Sequence, residues 1–164
     1  MPDSTFELEI DIVYADDNWP TSLEGNNIDS VIVKALHGAI AKTCVDFAAP
    51  SEICIVLNND SQQRDLNQKW RGIDRPTNVL SFPQIEVFST PCGMLGDIVL
   101  ARQTVMQEAV DQKKSLLNHL SHLVVHGFLH ILGYDHKTDK QAKQMESLEI
   151  DILADLGIMD PYRD

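Results

Sequence analysis

Apolar and polar positions along the chain predict four strands. Residues 6–14 alternate apolar and acidic side chains with a period of two, which is typical of a half-buried strand. Residues 53–57 are apolar on consecutive positions, which favours a strand buried on both faces, and residues 95–100 predict a further strand. Residues 79–82 form a short run before Pro83, and a proline there favours an edge strand whose open side can receive an extended ligand.

Five segments have the periodicity or the end signals of helices. They are residues 30–47, about 60–70, 102–111, 115–132 and 138–156. Asp60 or Ser61 is the predicted N-cap of the second helix, and the Asp-, Asn-, Pro- and Gly-rich residues 16–27 predict a loop. The expected fold class is α+β: a single domain over residues 1–164, in which a small mixed sheet of about four strands packs with about five helices.

Composition agrees with a soluble protein. Hydrophobic residues make up 43% and charged residues 23%, both ordinary for a globular chain. No apolar run approaches the roughly 18 residues of a membrane span, and residues 1–7 lack the basic and apolar regions of a secretory signal. The three cysteines are odd in number and form no CxxC pattern, which fits a reducing compartment. We therefore expect a cytoplasmic protein with no membrane partner.

The net charge of −12 is unevenly distributed. Residues 1–30 hold eight acids and no Lys or Arg, and residues 146–164 are also acidic, so the middle of the chain is close to neutral. Overall acidity argues against broad, sequence-blind nucleic-acid binding, which depends on neutralising phosphates. A near-neutral middle still leaves room for a nucleic-acid cleft. The acidic ends can serve solubility or the recruitment of a basic protein.

Three histidines within eleven residues carry the strongest chemical signal, in HGFLHILGYDH at residues 126–136. His126 and His130 are four residues apart and share one helix face, roughly 40° apart around the axis. Gly133 predicts the helix end, after which the chain can bring His136 to the other two. Three imidazoles with an open fourth position are typical of a catalytic zinc site, here on a helix and the turn after it. The alternative of satisfied core histidines fits His119 and His122 better.

Gly127 separates this motif from that of zinc peptidases. Those enzymes carry a glutamate directly after the first histidine as general base, and the longer peptidase motif is otherwise matched at His126, His130, Gly133 and His136. The chain thus keeps the metal ligands of the peptidase motif but lacks the glutamate that serves as general base. Peptide hydrolysis by the usual route is disfavoured.

A second cluster surrounds Arg71, in the segment at residues 66–83. A guanidinium can clamp two phosphate oxygens and stabilise charge in a transition state, and Trp70 can stack on a base. Alternatively, Arg71 and Asp74 form a local ion pair while Trp70 packs in the core. Asp97 can accept a ligand histidine's N–H or cap a turn. Asp135 can shuttle a proton, accept such an N–H or remain a solvated loop acid.

These motifs together resemble the bacterial YbeY family. The resemblance rests on HGFLHILGYDH (126–136), RGIDRPTNVLSFP (71–83) and LGDI (95–98), which occur in the family's order. It implies a zinc-containing, single-strand-specific endoribonuclease that matures ribosomal RNA, notably the 3′ end of the small-subunit RNA, and takes part in ribosome quality control. The family's zinc ligands map onto His126, His130 and His136, and its essential arginine maps onto Arg71. Asn78 departs from the family, since many members have Asp there.

The hypothesis is therefore hydrolysis of single-stranded RNA with one Zn²⁺ per chain, His126, His130 and His136 as metal ligands and Arg71 as the catalytic arginine. The expected partners are ribosomal RNA and the small ribosomal subunit with its proteins, and DNA is not expected. Two alternatives stay open. One is a non-catalytic ribosome-assembly factor with structural zinc, and the other is a zinc peptidase or amide hydrolase.

Overall fold

A computed structural model describes residues 6–163, so the first five residues of the predicted domain and Asp164 lie outside the description. Its elements are β1 (Leu8–Tyr14), β2 (Ser22–Leu23), β3 (Asn26–Asn27), α1 (Ile28–Thr43), β4 (Ser51–Asn58), α2 (Asp60–Arg71), β5 (Val79–Pro83), β6 (Gly93–Ala101), α3 (Arg102–Asp111), α4 (Leu116–Leu132) and α5 (Asp139–Asp155). The predicted fold class, α+β with a small mixed sheet and five helices, is confirmed.

The main sheet has the strand order β1-β4-β6-β5. β1, β4 and β6 run parallel, and β5 runs antiparallel to β6. β5 is an edge strand, as Pro83 predicted, and β1 forms the other edge. Along β1 the half-buried residues alternate with exposed ones that include Glu9 and Asp11. The continuous apolar run in β4 is explained by its central place in the sheet.

The loop predicted at residues 16–27 contains a short hairpin, so this part of the expectation is wrong. Ser22 pairs with Asn27 and Leu23 with Asn26 across the antiparallel strands β2 and β3. Glu24 and Gly25 form the turn with φ of 52° and 78°, the left-handed pair that a two-residue hairpin requires. Strands of two residues are too short to produce a period in the sequence.

The predicted N-cap of α2, Asp60 or Ser61, is also wrong, by one or two positions. Asn59 is the N-cap: its side chain accepts from the amide of Gln62 at 2.8 Å, and the Gln62 side chain accepts from the Asn59 amide. The Asp60 carboxylate instead accepts from the amide of Thr104 at 3.0 Å. Asp60 thereby ties the start of α2 to the start of α3.

Helix α4 is the centre of the core. Twelve of its seventeen residues are buried, and it packs against α1, α3, α5 and the sheet. Ser115 caps its start by accepting from the amide of Asn118 at 3.1 Å. Gly133 ends it with φ of 118°, a left-handed conformation that favours glycine. The helix that carries His126 and His130 is therefore fixed at both ends.

Candidate metal centre and adjoining groove

His126, His130 and His136 converge as the spacing predicted. The Nε2 atoms of His126 and His130 lie 3.1 Å apart, and one ring nitrogen from each of the three lies within 4.8 Å of the others. A tetrahedral zinc with Zn–N bonds of about 2.0–2.1 Å holds its ligand nitrogens roughly 3.3 Å apart, so the trio fits such an ion with small adjustments. His126 and His130 are half-buried and His136 is exposed, so solvent reaches the point where the rings meet.

The turn after Gly133 places His136. The Asp135 carboxylate accepts from the His136 backbone amide at 2.8 Å and lies 3.7 Å from the Lys137 ammonium. The hydrogen bond from the His136 amide is the largest cause of the lowered pKa of Asp135. The Asp135 carboxylate therefore stabilises the backbone of the turn that carries His136.

The ring of His130 is held in the neutral form that a metal ligand needs. Burial, together with the neighbouring His126 and His136, lowers the pKa of His130 to about 4. Neutral imidazoles are the correct ligand state near pH 7. The three-imidazole donor set and the neutral form of His130 therefore fit a borderline metal such as zinc.

Glu149 of α5 is the site residue that sequence reasoning missed. It is fully buried, and its Oε1 lies 2.5 Å from Nδ1 of His126. The Tyr162 hydroxyl donates to Oε2 at 2.6 Å, and His122 Nε2 lies 3.3 Å from Oε1. Asp97, the other acid considered for this role, lies in the sheet beside Cys54 instead.

The charge state of Glu149 follows from these contacts. Burial alone would raise the pKa of Glu149, but hydrogen bonds from His122, His126 and Tyr162 outweigh it and lower the pKa to about 2. An ionised carboxylate can only accept, so the proton on His126 lies on Nδ1 and the Nε2 lone pair faces the other two histidines.

A signal for Glu149 exists in the sequence. It lies four residues after Met145 and three before Ile152, both buried, so it is an acid on the apolar face of its helix. His122, His126 and Glu149 form a second group whose ligand atoms lie within 4.8 Å of one another. His126 thus belongs to two groups, one through each ring nitrogen.

The other two histidines of α4 are buried, as expected, but among the described residues the Nδ1 atom of neither has a hydrogen-bond partner. His119 is buried, and its Nε2 lies 2.9 Å from Glu108 Oε1. The same carboxylate accepts from Nδ2 of Asn78 at 3.0 Å, which ties the start of β5 to α4. Asn78, the position that departs from the family, therefore has a structural contact here.

Gly127 has no room for a side chain. A Cβ built there would lie 2.7 Å from Cγ2 of Ile98 and 3.2 Å from the Ser81 hydroxyl oxygen. That hydroxyl donates to the Gly127 carbonyl at 3.0 Å, which fixes β5 against α4. The glutamate of a zinc peptidase is thus absent from the sequence and also excluded sterically.

A groove of about 620 Å³ runs along β5. Its lining residues include Ser81, Trp70, Phe82, Asn58 and Asp97. Ser81 is the residue whose hydroxyl donates to the carbonyl of Gly127 on α4. Ser81 therefore belongs both to the lining of the groove and to the contact between β5 and α4.

Arg71 lies at the C-terminal end of α2, exposed to solvent. The local ion pair considered from the sequence is not formed. Asp74 binds Arg64 through two hydrogen bonds of 2.6 and 3.0 Å, and within residues 6–163 no carboxylate lies within 4 Å of the Arg71 guanidinium. The Arg71 guanidinium is therefore available to a ligand.

Trp70 is exposed as well, which was left open by the sequence. Its side chain is 62% exposed, and its ring meets Phe82 edge-on with 6.3 Å between the ring centroids. The Lys69 ammonium lies 5.1 Å from the Trp70 ring. An exposed aromatic ring with the Lys69 ammonium beside it therefore borders the groove. Within the described residues, no helix is long and apolar enough to cross a membrane.

The fold and the site are those of a small α+β protein with a three-histidine group able to hold a metal ion, and with an open groove along β5. A family model described as "Endoribonuclease YbeY" matches residues 13–157. The chain belongs to this family, which confirms the resemblance found in its motifs.

Similar proteins named "Endoribonuclease YbeY" cover nearly the whole chain. The one from Allorhizobium ampelinum is 46% identical over 159 residues, which is 95% of this chain and 95% of the relative. The one from Parvibaculum lavamentivorans is 46% identical over 164 residues, covering 94% and 85%. A solution structure of a Thermotoga maritima protein shares the fold, with a TM-score of 0.55 at 21% identity, covering 96% of this chain and all of that one.

Proposed function

We propose that this protein is a metal-dependent endoribonuclease that cleaves single-stranded RNA. The observation that carries the proposal is the convergence of His126, His130 and His136, with His126 held by Glu149, in a chain of the endoribonuclease YbeY family. These three histidines would hold one Zn²⁺, and Arg71 would hold the phosphate. The whole chain, residues 1–164, would act as one catalytic domain.

Each residue has a defined task in the proposed reaction. A zinc ion bound by the histidines would lower the pKa of water and polarise a phosphate oxygen. Glu149 keeps the proton of His126 on Nδ1, so that the Nε2 lone pair points into the site. Arg71 carries five N–H donors on a planar guanidinium, which can bind two phosphate oxygens and offset the charge that develops on them.

An exposed aromatic ring at the groove supports the proposed preference for single strands. Unpaired bases can stack on aromatic rings, and each such contact contributes about 1–3 kcal/mol. Trp70 offers an exposed ring at the border of the groove. We expect Trp70→Ala to raise the KM for a short single-stranded RNA by about tenfold, with Trp70→Phe nearer to wild type.

The central test compares cleavage of one labelled RNA oligomer, single-stranded or annealed to its complement, by purified variants. We expect His130→Ala to lower kcat/KM by at least about 100-fold, because it removes a ligand. Arg71→Ala should lower kcat/KM by about 100-fold. Arg71→Lys should give a value between those of Arg71→Ala and wild type, because lysine keeps the positive charge but lacks the paired N–H donors of the guanidinium. Arg64→Ala is the matched control, since it removes a cation from the same helix. A His130→Ala protein as active as wild type would refute the proposal and identify a contaminating nuclease.

The effect of chelation on stability distinguishes the assembly-factor alternative from a catalytic site. The core around α4 is built from apolar residues, while His136 is exposed at the rim of the site. We therefore expect a chelator to abolish cleavage while the far-ultraviolet circular dichroism stays unchanged. Unfolding on chelation would favour a structural metal instead.

The proposed substrate in the cell is ribosomal RNA, with the small ribosomal subunit and its proteins as cytoplasmic partners. Support comes from family membership and from the acidic chain ends, which suit contact with basic proteins. RNA ends mapped in small subunits from cells lacking the protein should be immature. Wild type should restore them, and Arg71→Ala should not. Mature 3′ ends without the protein would exclude the processing role.

A further inference from the structure

We propose that Glu149 and Tyr162 form a relay that positions His126 for metal binding, and that metal affinity depends on this pair. The inference rests on the proposed three-histidine metal site. It adds two residues from outside the histidine motif, one on α5 and one in the segment after it.

Glu149 has the contacts that the task requires. It is 0% exposed, and both carboxylate oxygens are used: Oε1 at 2.5 Å from His126 Nδ1, and Oε2 accepting from Tyr162 at 2.6 Å. A buried carboxylate costs free energy unless its oxygens are bonded. Because it can only accept, Glu149 selects one tautomer of His126 and fixes the plane of the ring.

Tyr162 completes the relay from the C-terminal segment. Its hydroxyl is directed at Glu149, and its ring meets His122 edge-on with 5.4 Å between centroids. The segment itself is anchored, because the Lys114 ammonium donates to the Pro161 carbonyl at 2.8 Å and the Tyr162 amide donates to Asp160 at 2.8 Å. The last turn of the described chain thus holds one oxygen of Glu149 and leaves the other for His126 and His122.

A glutamine at position 149 would reverse the hydrogen bond to His126. The Tyr162 hydroxyl can still donate to the amide oxygen, which turns the amide NH₂ toward Nδ1 of His126. Nδ1 must then accept, so the ring proton moves to Nε2 and occupies the lone pair needed by the metal. Volume is conserved in Glu149→Gln. The change removes the carboxylate charge and reverses the hydrogen bonds that Oε1 accepts from His126 and His122.

The test measures zinc affinity by competition with a chromogenic chelator at neutral pH. We expect Glu149→Gln to weaken binding by about 10–100-fold and Tyr162→Phe by a few-fold, since the latter removes only the hydroxyl. Two matched controls should bind like wild type. Glu108→Gln alters the same type of pair on His119, and Tyr14→Phe removes a hydroxyl that donates to Asp29 at 2.6 Å.

A second readout separates positioning from a merely structural effect. Nitrogen NMR shifts of the metal-free protein report the tautomer of each histidine. We expect His126 to carry its proton on Nδ1 in wild type and on Nε2 in Glu149→Gln, while His119 stays unchanged. Urea unfolding in the presence of chelator shows whether the variant is folded under the conditions of both measurements.

Three results would overturn the inference. A folded Glu149→Gln with wild-type affinity and an unchanged His126 tautomer refutes the relay alone. Two zinc equivalents per chain, one of them lost in His122→Ala, would make Glu149 a ligand of a second cation. Wild-type protein whose zinc binding is absent, or unaffected by His130→Ala, refutes both the relay and the proposed metal site.

Discussion

Replacing Gly127 by alanine should destabilise the protein, although alanine is the better helix former. The new Cβ would lie 2.7 Å from Ile98 Cγ2 and 3.2 Å from Ser81 Oγ. Ile98 is completely buried in the sheet, so it cannot turn aside without disturbing its neighbours. The overlap has to be relieved by moving α4 away from β5 and β6.

The magnitude follows from two opposing effects. Extra volume in a packed core costs about 1–3 kcal/mol, and a contact this short with a buried branched side chain belongs in the upper half of that range. Exchange of glycine for alanine inside a helix returns about 1 kcal/mol. We expect a net loss of about 1–2 kcal/mol in the free energy of unfolding, or a fall in Tm of about 2–8 °C.

Gly38 in α1 provides the matched control. It is also a helical glycine, but a Cβ there would meet only the end of the flexible Leu156 side chain, at 3.2 Å. We expect Gly38→Ala to be neutral or to raise stability by up to about 1 kcal/mol. Urea unfolding of both variants in chelator excludes any contribution from bound metal. A Gly127→Ala midpoint at or above that of wild type, with an unchanged slope, would refute the packing argument.

Two further predictions concern charged and reactive groups. Arg102→Met should lower stability by about 3 kcal/mol, because it leaves Asp16, only 6% exposed, without the cation 2.5 Å away, whereas loss of the exposed Arg64 should have little effect. The hydrogen bond from Arg102 lowers the pKa of Asp16. The stabilisation by this pair is therefore present above the unfolded pKa of Asp16, about 3.9, and is lost as the pH falls below that value. The urea midpoints of Arg102→Met should lack this part of the pH dependence. Burial and the nearby charge of Asp97 raise the pKa of the Cys54 thiol. At pH 8, iodoacetamide should therefore modify Cys54 more slowly than the exposed Cys44 and Cys92, as measured by mass spectrometry of digests. Equal rates at the three cysteines would contradict this prediction.

The main sheet and the helices could be predicted because each long element has a period. The alternation in β1, the apolar run in β4 and the proline that ends β5 each predicted the strand's place in the sheet. The N-cap of α2 could not be predicted, since Asn59, Asp60 and Ser61 are all good caps. The choice depends on the contact of Asp60 with α3, which lies more than forty residues further along the chain.

The candidate site also contains some residues that the sequence could predict and others that it could not. His126, His130 and His136 could be predicted because a helix and a glycine turn place them together over eleven residues. Glu149 and Tyr162 could not, because their contact with His126 depends on the packing of α5 against α4. The roles of the three metal ligands and of Arg71 stay predictions until the variants are measured.

The exposed acids along β1 have a consequence for the protein at high concentration. A free sheet edge is a template on which a second copy can add a strand and begin an aggregate. Approach of one β1 to another would bring Glu9 and Asp11 of both copies together, and such like charges repel. At the opposite edge, Pro83 has no N–H to extend a ladder. Like charges on β1 and the proline of β5 therefore disfavour the addition of a second copy at either edge of the sheet.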